Sequence, residues 1–383
     1  MDKIRLVLFE DKFGIGGIEK FIYNVCLNID LKKYDISLVV VNKTTDYYDD
    51  LLKKLGIRII VLLPKNELNP IKRFKNGLPA FRAYLRNNKD NCDIIHFNLS
   101  DSIDLLYVRI AKQEGIKIRI VHSHNSSATN LKKKLAHKVG KIFLVNEPNY
   151  FITCSKKAAK WLFPRKVYNE NKYLFLQNAI SVKDYHFNPK KRQKIRKQYN
   201  LQNNIVYGEV ARFNRQKNHK FLIEVFKNIK DKQPNAKLVL IGDGELLPEI
   251  KEQVNRYNLT DSVLFIGVSD RVADFLQAFD VFLLPSLYEG LPFVLIESQA
   301  ASLQALVSDT ITKEVKLTNY INFASLNMSA IDWAEKAIKL SKKNRSISDR
   351  TLENSEFDIK NMVKKLDEFY NEIINKSDIG EKN

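Results

Sequence analysis

The sequence predicts an α/β protein with two doubly wound parallel sheets in tandem, and three observations carry that reading. Short apolar runs recur through both halves of the 383 residues, helically spaced segments separate most of them, and one polar, basic stretch breaks the series near its middle. With 44% apolar residues, the chain has material for two cores rather than one.

In the first half, strands are expected at 4–9, 36–41, 57–63, 94–97, 118–122, 151–154 and 173–177, with helices such as 18–29 and 103–115 between them. Alternation of this kind places a parallel sheet under helices on both faces. The polar stretch 181–204, with the basic run 190–197, reads as a domain boundary. A new strand series follows at 205–210, 238–242, 263–266, 281–284 and 305–308, interleaved with helices at 221–229, 246–256, 272–278 and 294–301. After Ser308 the pattern weakens until an amphipathic segment at 359–374 and a polar tail at 375–383, expected to fray. The expected division is a first Rossmann-like domain at 1–182, a second at 183–356, and a terminal helix with its tail at 357–383 that returns to the first domain, with a cleft between the two domains.

The formal charge of +19 suits nucleic acid, an anionic membrane surface or phosphate-bearing substrates, and does not choose among them. Cys26, Cys92 and Cys154 fit neither a disulfide framework nor a zinc site; they read as buried hydrophobes in a reducing compartment. The amino-terminal apolar run is too short for a signal peptide, and no stretch approaches the roughly 18 apolar residues of a membrane span. A cytoplasmic location is therefore expected. The segment 71–90 has six basic residues and one acid, with Ile71, Phe74, Leu78, Phe81 and Leu85 near one helical face. It reads either as a contact with an anionic membrane or as an ordinary helix packed on the sheet.

Ligands of open α/β sheets bind at the carboxyl ends of strands, so chemistry is expected in the loops there. After the first strand, Gly14, Gly16 and Gly17 form a turn into a helix, where backbone N–H groups can receive phosphate or the glycines can simply make a tight turn. The spacing is not the GxGxxG fingerprint, which disfavours a nicotinamide dehydrogenase. After the strand at 205–210, Arg212 and Lys217 could neutralise a diphosphate together. After 281–284, Glu289 precedes Pro292 in the first helical turn and Glu297 lies inside that helix, so two carboxylates can serve different parts of one ligand. The N–H groups of Phe293 and Val294 at the helix start would suit a phosphate or a sugar hydroxyl. His122 and His124 share a strand end and one face; without a nearby carboxylate or cysteine they read as hydrogen-bonding groups rather than metal ligands.

Together these motifs resemble the retaining glycosyltransferases of family 4 with the glycosyltransferase B fold, especially those of bacterial capsular and exopolysaccharide synthesis. The likeness spans almost the whole chain: Gly16-Gly17-Ile18-Glu19, His122-Ser123-His124-Asn125, Asn178-Ala179-Ile180, Ala211-Arg212-Phe213, Gln216-Lys217-Asn218, Gly242-Asp243-Gly244, and Pro285 through Glu297 with its Glu-x7-Glu signature. The resemblance implies catalytic roles for Glu289, His124, Arg212 and Lys217. It implies donor binding by Gly16, Gly17, Arg212, Lys217, Gly267, Val268, Gly290, Leu291, Phe293, Val294 and Glu297. In that scheme Gly16 and Gly17 approach the diphosphate, Arg212 and Lys217 hold its charge, Glu289 and His124 touch the transferred sugar, and Glu297 takes the ribose. The segment 265–268 would read the nucleotide base through its backbone.

No cofactor and no metal are expected, because no Asp-x-Asp pair stands at a strand end. The expected substrates are a nucleotide sugar, a UDP-sugar by resemblance, and a glycan or lipid-linked acceptor. An anionic membrane surface is a further expected partner, and nucleic acid is not. Two other readings fit parts of the pattern. An epimerase of the same fold would isomerise its nucleotide sugar without an acceptor, and a nucleic-acid-binding protein would explain the charge but not the paired glutamates.

Overall fold

The computed structural model describes residues 3–64, 69–125, 131–289, 291–347 and 350–379. The chain divides into two compact units, Met1–Ala179 with Ile359–Asn383, and Ile180–Asp358.

The first unit holds seven strands: β1 (Ile4–Phe13), β2 (Tyr34–Lys43), β3 (Arg58–Val61), β4 (Ile94–Leu99), β5 (Ile118–Ser123), β6 (Tyr150–Thr153) and β7 (Leu174–Phe175). They pair in the order β3-β2-β1-β4-β5-β6-β7, all parallel. The second unit holds six: β8 (Ile205–Val210), β9 (Ala236–Ile241), β10 (Val263–Gly267), β11 (Val281–Leu284), β12 (Gln304–Ser308) and β13 (Ile321–Ala324). Their order is β10-β9-β8-β11-β12-β13, again all parallel. Each sheet reverses its winding direction once, between β1 and β4 and between β8 and β11. Crevices at the carboxyl ends of those strand pairs are where such sheets bind ligands.

The central strands are apolar on both faces because helices cover both. Leu6, Val7, Leu8 and Phe9 of β1 are all buried, the odd pair in one core cluster and the even pair in the other. Strand ends at the sheet margins are shorter than the apolar runs imply. The run 173–177 supplies only the two residues of the edge strand β7, since Leu176 already turns away after its N–H donates to Thr153. At the other margin of the second sheet, β13 is half-buried and too short to stand out in the sequence.

The terminal helix Ile359–Ile379 buries Ile359, Met362, Val363, Leu366, Tyr370 and Ile373 in the core of the first unit, at i, i+3, i+4, i+7, i+11 and i+14. That spacing holds one helical face against the sheet, and each fully buried side chain of this size contributes roughly 1.5–3 kcal/mol. Ile180 begins the second unit because its N–H donates to Phe357 and its neighbour Val182 is buried in that unit's core. The helix Pro70–Asn88 buries Phe81 and Leu85 and packs Phe74 and Leu78 on the sheet, leaving Ile71 outside. Its apolar face is therefore spent on the core, so the basic amphipathic pattern at 71–90 belongs to a packed helix. Cys26 is buried, whereas Cys92 and Cys154 are only half-buried, so the expectation of three buried cysteines holds for one.

Candidate active site

In the second unit, the loops leaving β8 and β11 meet at the reversal point. Asn214 accepts a hydrogen bond from the Lys217 N–H at 3.2 Å and so closes a single helical turn, Arg215–Lys217. Asn218 then takes a left-handed conformation, with φ of 58°, and its amide donates to the Pro285 carbonyl. This geometry aims Lys217 at the second loop. Its ammonium lies 2.5 Å from Glu289 Oε1, and the Ser286 hydroxyl donates to the same oxygen at 2.8 Å. Gln216 donates to Glu289 Oε2 at 3.0 Å and to the Tyr288 carbonyl at 2.9 Å. The Glu289 carboxylate is 8% exposed and fully engaged by its own chain. An ammonium has three N–H donors, so Lys217 can hold Glu289 and still meet an anion.

Glu297 is buried on the helix Phe293–Ala300 and accepts from the Tyr185 hydroxyl at 2.8 Å. Pro292 is the residue before that helix rather than inside its first turn, and no side chain caps the start at Phe293 and Val294. Leu291, Phe293 and Val294 are half-buried against the core of the unit; Gly290 lies outside the described residues. Arg212 stands apart from the Glu289 cluster. Its side chain is 72% exposed and 3.3 Å from the exposed Glu245, an ion pair of little worth that a ligand could displace. Gly267 ends β10 with φ of +79°, its carbonyl accepts from Gly242, and Val268 beyond it is exposed.

Gly242 and Gly244 hold this loop system together. Both have positive φ, +139° and +159°, and a Cβ on either would lie 2.0 Å from the Ala211 carbonyl oxygen or 2.4 Å from that of Phe213. Only glycine lets the β9 loop pass so close to the backbone beside Arg212.

In the first unit, the turn after β1 is already occupied by a carboxylate. Glu19 accepts from the Gly14 N–H at 2.7 Å, and a Cβ on Gly16 would sit 2.7 Å from its other oxygen. Gly16 precedes the helix that begins at Gly17, around which space is open. The anion nearest these glycines is thus the protein's own.

His124, at the end of β5, donates from Nε2 to Asn98 Oδ1 at 3.0 Å, and its ring lies 3.9 Å from that of His122. His122 Nδ1 is 3.2 Å from His96 Nε2, and His96 Nδ1 is 2.6 Å from the Tyr370 hydroxyl. Burial presses all three histidines below their ordinary range, His96 to about 3. They are neutral hydrogen-bonding groups at neutral pH. Beside them, burial raises Glu10 and Asp104, helped by the neighbouring Glu19 and Asp11 charges respectively, while Asp11 pairs with Arg73 at 2.7 Å. Among the described residues no three His, Cys, Asp or Glu side chains are grouped to hold a metal ion. A concavity of about 620 Å³ beside Arg5, Asp93 and Ile118 lies at the amino ends of the strands, away from these loops.

Residues 15–183 match the model of "Glycosyltransferase Family 4", and residues 191–356 that of "Glycosyl transferases group 1". The chain belongs to glycosyltransferase family 4. This family 4 glycosyltransferase is 24% identical, over 79% of this chain and 80% of that protein, to the amylovoran biosynthesis glycosyltransferase AmsD of Erwinia amylovora. It is 29% identical, over 93% of both chains, to EpsF of Bacillus subtilis (strain 168), whose glycosyltransferase assignment is provisional and names no substrate. It is 25% identical to the UDP-Gal:alpha-D-GlcNAc-diphosphoundecaprenol alpha-1,3-galactosyltransferase of Escherichia coli, over 79% of this chain and 78% of that protein. Its fold matches that of Anabaena HepE, solved in complex with UDP, with a TM-score of 0.74 over 96% of this chain and 100% of the other at 15% identity.

Several groups around these candidate residues were not assigned a role from the sequence. Ser286 and Tyr185 bond the two motif glutamates, but an isolated serine or tyrosine carries no sequence signal for that. Glu209 and His219 form a wholly buried pair at 3.0 Å, under the Arg212 loop, with His219 stacked on Phe213. His96 and Tyr370 extend the histidine pair into a chain of four groups. An alternating His96-Phe97-Asn98 at a strand end was the available clue, since His96 and Asn98 share one strand face.

Proposed function

We propose that this glycosyltransferase moves a hexosyl or N-acetylhexosaminyl group from a UDP-sugar to a glycan or lipid-linked acceptor with retention of anomeric configuration and without a metal ion. The observation that carries the reading is the Glu289 carboxylate, held by Lys217, Gln216 and Ser286 at the reversal point of the second sheet. Such a group is positioned before the substrate arrives, which is what electrostatic catalysis requires.

In this reading the bond between the anomeric carbon and the diphosphate oxygen breaks as the acceptor oxygen bonds to the same face of that carbon. The acceptor proton passes to the departing phosphate oxygen. Positive charge develops on the sugar and negative charge on the leaving group. Glu289 faces the first, and Lys217 and Arg212 offset the second. Glu297 takes the ribose, Gly267, Val268, Gly290 and Leu291 line the nucleotide, and the amides of Phe293 and Val294 meet phosphate or sugar. In the first unit, His124 bonds the sugar as a neutral imidazole, and Gly16 and Gly17 approach the diphosphate once Glu19 yields its place. The E. coli and Campylobacter jejuni relatives, whose names specify undecaprenol-diphosphate acceptors, support a lipid-linked acceptor and hence work at the inner membrane face. No helix among the described residues is long and apolar enough to cross a membrane, so the attachment would be peripheral.

Thermal-shift titration with UDP, GDP and four UDP-hexoses, with and without EDTA, tests the donor. A ligand at 100 times its Kd raises stability by about 2.7 kcal/mol. A chelator-resistant shift with uridine nucleotides is expected, and NMR of the product's anomeric proton should show retention. Shifts that need a divalent ion, or an inverted product, would overturn the corresponding part of the proposal.

A further inference from the structure

The helix Leu131–Phe143 carries five lysines and no acid in the sequence LKKKLAHKVGKIF. It is seated on the first unit by one face. His137 is buried, stacks on Trp161 at 3.6 Å, and its Nε2 meets the Trp161 carbonyl at 3.0 Å. The Ser102 hydroxyl donates to the His137 carbonyl, and Gly140 lies so close to Ser102 that a Cβ there would meet its backbone at 2.9 Å. Leu144 completes the buried side.

Among the described residues the opposite face is left uncovered. Leu135, Val139, Ile142 and Phe143, at i, i+4, i+7 and i+8, are 66%, 47%, 71% and 68% exposed. Isolated exposed apolar residues need no explanation, but four in one stripe on a rigidly seated helix do. Exposed Lys134 and Lys138 border the stripe on one side, with Lys141 behind them. The Lys141 ammonium is turned inward, donating to the Lys160 and Trp161 carbonyls at 2.5 and 2.7 Å.

We infer that the exposed face of Leu131–Phe143 is a docking surface for an anionic phospholipid bilayer, with Leu135, Val139, Ile142 and Phe143 entering the headgroup boundary and Lys134 and Lys138 meeting lipid phosphate. An apolar stripe edged by lysines is the pattern of a helix that lies in the interface plane, and the charge selects the anionic lipid. The helix follows β5 and packs on the turn after β4, so it stands at the same end of the first sheet as His124 and Asn98. A bilayer there would present a lipid-linked acceptor to that end, and in this respect the inference rests on the function proposed above. The corresponding stripe of Pro70–Asn88 is unavailable, because its aromatic and leucine residues are in the core.

The test is flotation of the purified full-length protein with vesicles of phosphatidylglycerol and phosphatidylcholine, against phosphatidylcholine alone. The wild type should float with the anionic vesicles only. Ile142→Ser with Phe143→Ser should weaken that binding at least tenfold, and Lys134→Ala with Lys138→Ala should weaken it and flatten its salt dependence. Lys72→Ala with Lys75→Ala, on the other basic helix, should leave it unchanged. Because Ile142 and Phe143 are exposed, their replacement should keep the wild-type melting temperature and UDP shift. Wild-type protein that stays at the bottom of the gradient, or a serine variant that floats equally well, would overturn the inference. So would a wild-type dimer that the serine pair makes monomeric without any vesicle binding, which assigns the face to a second copy. A missing UDP shift alongside lysine-dependent flotation would instead sink the transferase mechanism and leave the docking surface standing.

Discussion

Glu289 accepts hydrogen bonds from three residues of its own chain, so its position is set by the protein rather than by substrate. Glu289→Gln should therefore keep the nucleotide-induced thermal shift while kcat falls about 100–1000-fold, the scale of losing one pre-organised electrostatic group, near 2.7–4 kcal/mol. Steady-state kinetics with the preferred donor would check it, and a fall in kcat under tenfold would remove Glu289 from the reacting centre. Arg212→Ala should act more on KM than Lys217→Ala does, because Arg212 is exposed and must be recruited whereas Lys217 is already in place. The histidine chain sets a pH dependence of folding. His96, His122 and His124 have folded-state pKa values below the roughly 6.5 of an unfolded chain, so the unfolded state takes up protons first as pH falls. Their stabilising contribution is complete above about pH 6.5 and is lost progressively as pH falls toward 3. Glu10 and Asp104 are raised, so they act in the opposite sense above about pH 4. His122→Gln isolates the histidine contribution: between pH 7 and pH 5 the melting temperature of the first unit, measured by calorimetry, should fall less, or rise more, in the variant than in the wild type. Of these residues, Glu289, Lys217 and His124 were legible as motif members; the deep burial of His96 against Tyr370 was not, because the two are 274 positions apart.

Among the elements, the terminal helix shows how far periodicity carries. Its apolar residues were readable from their spacing, and the structure puts them in the first unit's core. Leu366→Ala should cost about 2–5 kcal/mol, as for other buried leucines, and Tyr370→Phe about 1–3 kcal/mol by orphaning His96 Nδ1. Chemical denaturation would measure both. A cost below about 0.5 kcal/mol for Leu366→Ala would mean that the helix is not part of the cooperative core. Gly244→Ala should cost more than about 2 kcal/mol, since the added methyl meets the Phe213 backbone at a φ that alanine avoids. The Ser329/Asp332 capping box shows that the helix Ala330–Ser341 was marked in the sequence although the strand pattern around it had faded. The helix Leu131–Phe143 escaped notice for a physical reason. Its apolar residues are divided between a buried face and an exposed one, so no single stripe at helical period stands out against its lysines.

On the scale of the whole molecule, the first unit is discontinuous in sequence, closed by residues that follow the entire second unit. A chain ending at Asp358 would remove six side chains from the buried cluster that also holds Ile22, Val25 and Leu38. It should lose cooperative unfolding of the first unit in calorimetry while the second unit melts as before. The excess of positive charge, 63 basic against 44 acidic residues, was legible at once, but its use was not. What the sequence determined by itself was the alternation of strand and helix, the parallel sheets, the family motifs and the loops that bear them, because these depend on periodicity and on residues close together in the chain. The tertiary structure decided which charges meet, which carboxylate fills a glycine turn, and which of two basic amphipathic helices keeps an apolar face for a partner. Those outcomes depend on what covers each face, and the covering residues lie far apart in sequence.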